Sequence, residues 1–288
     1  MILTLPAAYL WHLHINMDNI IGLTLLRVTG GSAKKDYPGN IWRMKLLLAS
    51  LQKYLQCPLD LHVVCPADEL ETTRALFTSS SNVNLIWESA ETYLPGIGAS
   101  PANPWLKAQA LMFAFGAQQT KHVLKLDADE LLVRPMRENH LWNDGKSGIS
   151  LVPFSSRMIF WQPSADLLNI PLDLVSSGFQ VQPNPFMMSP VICQNLITHI
   201  IALGKTLLGI TEEEGWIDFA LYTLIAAATC GMSSQHFACK LGGPNIARAN
   251  ESTGLRDRTS FISTIQSFVG FTETQTKAMI AEAGILSF

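Results

Sequence analysis

Apolar positions in the first half of the chain alternate between two periods. Residues 20–28 form a short run rich in Ile and Leu, bounded by Gly30 and Gly31, and read as a buried strand. Asn40 then caps a helix to about residue 54, in which Ile41, Met44, Leu47, Leu48 and Leu51 recur at helical spacing. Residues 59–64 give a second strand stopped by Pro66, residues 68–77 a helix, and residues 83–87 a third strand. Strand, helix, strand, helix, strand at these spacings predicts a parallel sheet.

A loop rich in Gly, Pro and Ala follows over residues 95–104, and Pro104 suits the first turn of a helix running to about residue 119. Residues 122–126 are the fourth strand. Beyond Pro135 the pattern loosens: residues 148–153 and 178–182 read as strands, 191–203 and 216–229 as helices, and 261–283 as a C-terminal helical segment. There is no internal repeat. The expected architecture is α/β, a mixed but mostly parallel central sheet flanked by helices, in one domain over residues 1–288.

Composition narrows the function classes. Hydrophobic residues make up 48% of the chain and charged residues 15%, which supplies a large core and argues against disorder. A formal charge of -3 and no long basic run argue against a nucleic-acid partner. Cys57, Cys65, Cys193, Cys230 and Cys239 are scattered and never spaced as Cys-x-x-Cys, so buried thiols in a reducing compartment are expected rather than disulfides or a zinc knuckle. The apolar stretch at residues 1–26 lacks a basic leader and is broken by His12, His14, Asp18 and Asn19, and so reads as folded protein. Residues 191–210 and 217–232 are too polar or too short for a membrane span. A cytoplasmic location is expected, with peripheral membrane contact left open.

The fourth strand ends in Asp127, Ala128, Asp129 and Glu130, within the stretch KHVLKLDADELLVRP. Open α/β sheets bind ligands beyond the carboxyl ends of their strands, so these acids fall where a ligand belongs. Three acids in four positions repel one another and call for a compensating charge. Two aspartates two residues apart point the same way in an extended chain, and a tight turn swings one of them. Such hard oxygen ligands suit Mg²⁺ or Mn²⁺, completed by water and substrate phosphates. The plainer alternative has Asp127 capping a turn and Glu130 paired with Arg134.

Here the chain resembles the nucleotide-sugar glycosyltransferases of the GT-A fold. The resemblance rests on a hydrophobic strand ending in Asp-x-Asp, preceded by a helix bearing Lys107 and Gln109, within residues 105–135. Arg27 after the first strand, the Ala49, Ser50, Leu51 helix and the strand HVVCP agree with it over roughly residues 20–240. It implies a nucleotide-sugar-binding part over about residues 20–133 and an acceptor-side part over about 134–288. It further implies that Asp129 binds a divalent ion, Mn²⁺ or Mg²⁺, holding the donor diphosphate, and that Asp127 faces the ribose or shares the ion. The donor expected first is a UDP-sugar, and the acceptor a glycan or other hydroxyl compound.

The same resemblance assigns the supporting residues. Arg27 or Lys34 would meet phosphate and Tyr37 would stack on a base, although a solvated loop explains them equally. Lys107 would approach the sugar or diphosphate, unless it only marks an exposed helix face. Asp218, an acid within an apolar helix, resembles an acceptor-side general base or, in a retaining reaction, a stabiliser of positive charge. His236 would be a further metal ligand, against the commoner fate of a structural histidine. Trp216 reads as a sugar platform or a core residue, Lys240 with Gly242 and Gly243 as a phosphate-facing turn, and Ser176, Ser177 and Gly178 as lining for the acceptor side. Two alternatives remain: a GT-A-like protein that binds nucleotide, glycan or a protein partner without turnover, and a haloacid-dehalogenase-like phosphatase. The latter normally opens its domain with Asp-x-Asp, whereas here three strand-helix units come first.

Overall fold

The computed structural model describes residues 19–26, 38–154, 159–176, 178–182, 185–246, 255, 259–265 and 271–288. Five strands make the central sheet: β1 (Ile20–Leu25), β2 (Leu59–Cys65), β3 (Val83–Ser89), β4 (Val123–Lys125) and β5 (Phe186–Met188), in the order β5-β4-β1-β2-β3. The first four are parallel, with Ile21 opposite Asp60 and Val123, whereas β5 runs antiparallel and sets Phe186 opposite Lys125. The carboxyl ends of β1 to β4 therefore share one edge. A side chain at Gly22 would press on the tips of Leu59 and Leu61 at 3.0 Å, so the strand uses glycine where β2 leans over it.

Helices cover both faces because β4 and its neighbours are apolar on both. One face carries α2 (Pro104–Gln118), α4 (Pro190–Ala202) and α5 (Asp218–Thr229), whose Phe113, Leu196 and Phe219 bury Leu23, Val123 and Phe186. Between them α3 (Trp161–Leu168) packs on α5. The other face carries α1 (Pro38–Tyr54), whose Met44, Leu47 and Leu51 lie at helical spacing against Leu61, Val63, Leu124 and Leu126. Leu46 on the same helix meets Leu131, Ile265 and Ile280, which brings α6 (Glu273–Glu282) onto the domain. At Gly116 of α2 an added Cβ would fall 2.8 Å from Cys193 Sγ, and that close approach locks α2 against α4.

The predicted strands and helices of the first half are present with shifts of one or two residues, except that the strand read over 20–28 ends at Leu25, with 27 and 28 outside the described residues, and that residues 68–77 split into a 3-10 turn, Ala67–Glu69, and the short helix Leu70–Arg74. Two later readings are corrected. Residues 148–153 are not one strand: Ser150 separates Lys146–Ile149 from Leu151–Pro153, which belong to different small sheets, and the Ser150 hydroxyl accepts from the Leu241 and Gly242 amides. Residues 261–283 begin as a strand, Ile262–Ile265, between Gly242–Ile246 and Glu130–Leu132, and only then become helix. All five cysteines are free thiols. Among the described residues no helix is long and apolar enough to cross a membrane.

Candidate functional site

Side chains alternate across a strand, so Leu124 and Leu126 point to the α1 face while Val123, Lys125 and Asp127 point to the face carrying α2 and α5. Beyond β4 the chain turns sharply. The Asp127 carbonyl accepts from the Glu130 amide at 3.0 Å, and Glu130 Oε2 accepts from the Asp127 amide at 2.9 Å, which closes a turn over Ala128 and Asp129. The chain returns as the strand Glu130–Leu132, and the Asp129 carbonyl accepts from the Ile265 amide at 2.9 Å. Asp129 borders a cavity of about 10 Å³ with Trp42 and Arg43 of α1. The Asp-x-Asp segment is thus a tight turn at the sheet's edge, and Glu130 serves that turn.

The cation in contact with Asp127 is Lys125. Its Nζ lies 2.7 Å from Asp127 Oδ2, and its side chain is 8% exposed against 37% for Asp127. Burial alone would lower its pKa, but Asp127, Asp218 and Glu130 outweigh that and hold it above the ordinary lysine range. Glu130, fully buried, is pushed well above the carboxylate range by desolvation and by Asp127, with Lys125 opposing. Sequence reasoning misses Lys125; its signal is a lysine inside a buried strand, two residues before Asp127 and so on the same face.

Asp218 arrives from the other side, at the first turn of α5. Its amide donates to Gln109 Oε1 at 2.5 Å and its Oδ1 accepts from the Phe219 amide at 2.8 Å, so α2 and the helix backbone fix it. Desolvation raises its pKa, and Lys125 opposes that rise. Asp218 thus lies near enough to Lys125 and Asp127 to feel both charges.

A cleft of about 450 Å³ opens at the same edge, lined by Leu25 and Val64 at the ends of β1 and β2, by Pro66 and Glu91 just after β2 and β3, and by Lys107 and Leu111 of α2. Adjacent strands lie about 5 Å apart, so the cleft over β1 starts one strand from Asp127. Lys107 faces it, with its ammonium on the Ser100 carbonyl.

Other expected residues are elsewhere. His236 is 4% exposed; its Nδ1 is 2.8 Å from Ser147 Oγ, its Nε2 is 2.7 Å from the Tyr222 hydroxyl, and its ring packs edge-on to His122 at 5.4 Å. His122 precedes β4 and Asp127 follows it, about 16 Å apart at the usual rise per residue. His236 is a core histidine at the wrong end of the strand to ligate an ion with Asp127 or Asp129. Trp216 is likewise core, fully buried with Nε1 donating to the Ile210 carbonyl at 2.8 Å. Gly242 and Gly243 open a strand rather than a turn. Arg27, Lys34, Tyr37 and Ser177 lie outside the described residues.

The donor set fits a hard divalent ion only in one way. Among the described residues no three His, Cys, Asp or Glu side chains are grouped to hold an ion. An ion at the 127–130 turn would take one or two carboxylates from the protein and need phosphate and water oxygens for the rest of its shell, the usual habit of Mg²⁺.

The fold is GT-A-like. It matches the crystal structure of mouse xyloside xylosyltransferase 1 in its apo form with a TM-score of 0.52 and 11% sequence identity, over 88% of this chain and 99% of that one. No curated protein matches the chain. A family model does match residues 17–269, and the chain belongs to that family, DUF6492, a family of unknown function.

Proposed function

We propose that the protein is a divalent-metal-dependent glycosyltransferase that moves a sugar from a nucleoside-diphosphate sugar, in the first instance a UDP-sugar, to an acceptor hydroxyl. One observation carries the reading: Lys125, Asp127 and Asp218 converge at the carboxyl edge of the sheet, beside a cleft of nucleotide size. The GT-A-like fold supports it, and the three strands that precede the Asp-x-Asp turn disfavour the dehalogenase-like alternative.

In this reading the cleft takes the nucleoside, with Lys107 near its phosphates. Asp129 and Asp127 would hold the Mn²⁺ or Mg²⁺, which when bound offsets charge on the departing diphosphate. Lys125 fixes the Asp127 carboxylate in direction. Asp218, held by Gln109 and desolvated, binds a proton more readily than an ordinary aspartate, which suits a group that takes the proton of the acceptor hydroxyl.

A second reading is favoured by the Lys125–Asp127 pair itself: a resident cation already sits on one of the two expected ligands, as suits a protein that binds nucleotide without turnover. Release of nucleoside diphosphate separates the two. The purified protein with Mn²⁺ and a panel of UDP-, GDP-, CDP- and dTDP-sugars is expected to release diphosphate from one class. Binding without release favours the second reading, and neither binding nor release contradicts both.

A further inference from the structure

The helix α2 has two working faces. Pro104, Lys107, Ala108 and Leu111 line the cleft, whereas Trp105 and Gln109, one turn apart, lie about a third of the way round the helix. Gln109 is 6% exposed; its Oε1 accepts the Asp218 amide, and its Nε2 has no hydrogen-bond partner among the described residues. An orphan amide donor buried beside a site costs free energy unless something accepts from it. Trp105 is 47% exposed, unusual for the largest side chain, and its ring lies 5.9 Å from that of Phe160 at 52°. The contacts close into a ring: Trp105 to Gln109 along α2, Gln109 to Asp218, the Ile217 amide to Ser164 Oγ of α3, and Phe160, just before α3, back to Trp105.

We propose that Trp105 and Gln109 form a subsite for a carbohydrate ring, whose apolar face lies on the Trp105 indole and one of whose hydroxyls accepts from Gln109 Nε2. The subsite rests on the glycosyltransferase reading and adds to it where the sugar sits, on the Asp218 side of α2 rather than in the cleft. A pyranose matches the pair because it offers C–H groups on its faces and hydroxyls at its edge, and an aromatic face beside an amide serves both. The ring comes from the donor or from the acceptor, and the two differ in which probe loses affinity.

The test compares wild type, Trp105→Ala, Trp105→Phe and Gln109→Leu. Calorimetry with Mn²⁺ gives affinities for UDP and for UDP-glucose, UDP-galactose, UDP-xylose and UDP-N-acetylglucosamine, and saturation-transfer NMR gives affinities for the methyl glycosides of the same sugars. Trp105→Ala is expected to weaken one sugar-bearing probe about ten-fold while UDP is unchanged, with Trp105→Phe retaining most of the affinity. Loss on a UDP-sugar assigns the ring to the donor, and loss on a methyl glycoside assigns it to the acceptor. Gln109→Leu should weaken the same probe; since Gln109 also holds Asp218, the variants of the exposed Trp105 decide the matter if Gln109→Leu unfolds. Unchanged affinity for every sugar probe, or a loss shared equally by UDP, overturns the subsite and leaves the nucleotide reading standing. Failure of folded wild type to bind any probe, UDP included, overturns both.

Discussion

Lys125 Nζ lies 2.7 Å from Asp127 Oδ2, and the lysine is the more buried partner. A buried ammonium needs an anion; Asp127 supplies it in contact, and the Asp218 charge adds to it. The acids after β4 are tolerated at the edge of the core because the strand carries their counter-charge within itself. Any ion that joins them joins an electrostatic balance that already exists.

This arrangement predicts unequal single variants. Lys125→Met leaves Asp127 and Asp218 without their cation and should cost roughly 3 kcal/mol of stability. Asp127→Asn should cost less, because Asp127 is more than a third exposed and water screens it. The coupling between the two changes should be about 1 kcal/mol in a double-mutant cycle read by urea unfolding. Strictly additive effects would mean that the pair contributes nothing.

Asp218→Asn preserves the helix-start geometry, since an amide oxygen can still accept from the Phe219 amide. Turnover should fall by about 10²- to 10⁴-fold if Asp218 moves the acceptor proton, with nucleotide affinity nearly unchanged. A variant that loses nucleotide affinity but keeps its kcat would remove Asp218 from that role.

Two buried histidines should stay neutral. Desolvation holds His236 down to about 3 and His122 down to about 4. Depressed folded values mean that their contribution is fully present above the unfolded pKa near 6.5 and is lost as pH falls below it. Their ring resonances in NMR should not move between pH 8 and 5, and a midpoint near 6.5 for His236 would show that it is not the core residue described.

Glu130 carries the opposite sign. Its raised folded pKa gives stability that is full at acid pH and is lost as pH rises through the ordinary carboxylate range toward the folded value. Glu130→Gln, which mimics the protonated acid and can still accept from the Asp127 amide, should be at least as stable as wild type at pH 7 and lose that advantage at pH 4. A variant much less stable than wild type at pH 7 would show that Glu130 is ionised in the folded protein.

The first half of the sheet is legible in the amino-acid sequence because its strands are apolar runs bounded by turn residues and its helices, such as α1 and α2, keep a regular stripe. Strand β5 gives no such signal because Phe186, Met187 and Met188 are too few to show a period. Ile262–Ile265 reads as helix because it leads into a helical segment and pairs only with distant residues. The site is half legible. Asp127 and Asp218 stand out as acids in apolar surroundings, and the structure brings them to one lysine. Lys125 does not stand out, because a lysine in a strand has meaning only once Asp127 pairs with it and Asp218, from a separate element, adds its charge. His236 misleads for the converse reason: an isolated histidine reads alike whether it binds an ion or, as here, bridges Ser147 and Tyr222.

The most direct test is calorimetric titration of UDP, GDP, CDP and dTDP into the folded protein, first with Mn²⁺ and then with EDTA, for wild type and Asp129→Ala. The account predicts that one nucleotide, UDP before the others, binds with Mn²⁺ and that this binding disappears with EDTA and in the variant. Failure of every nucleotide to bind folded wild type, or binding indifferent to both EDTA and Asp129→Ala, would contradict it.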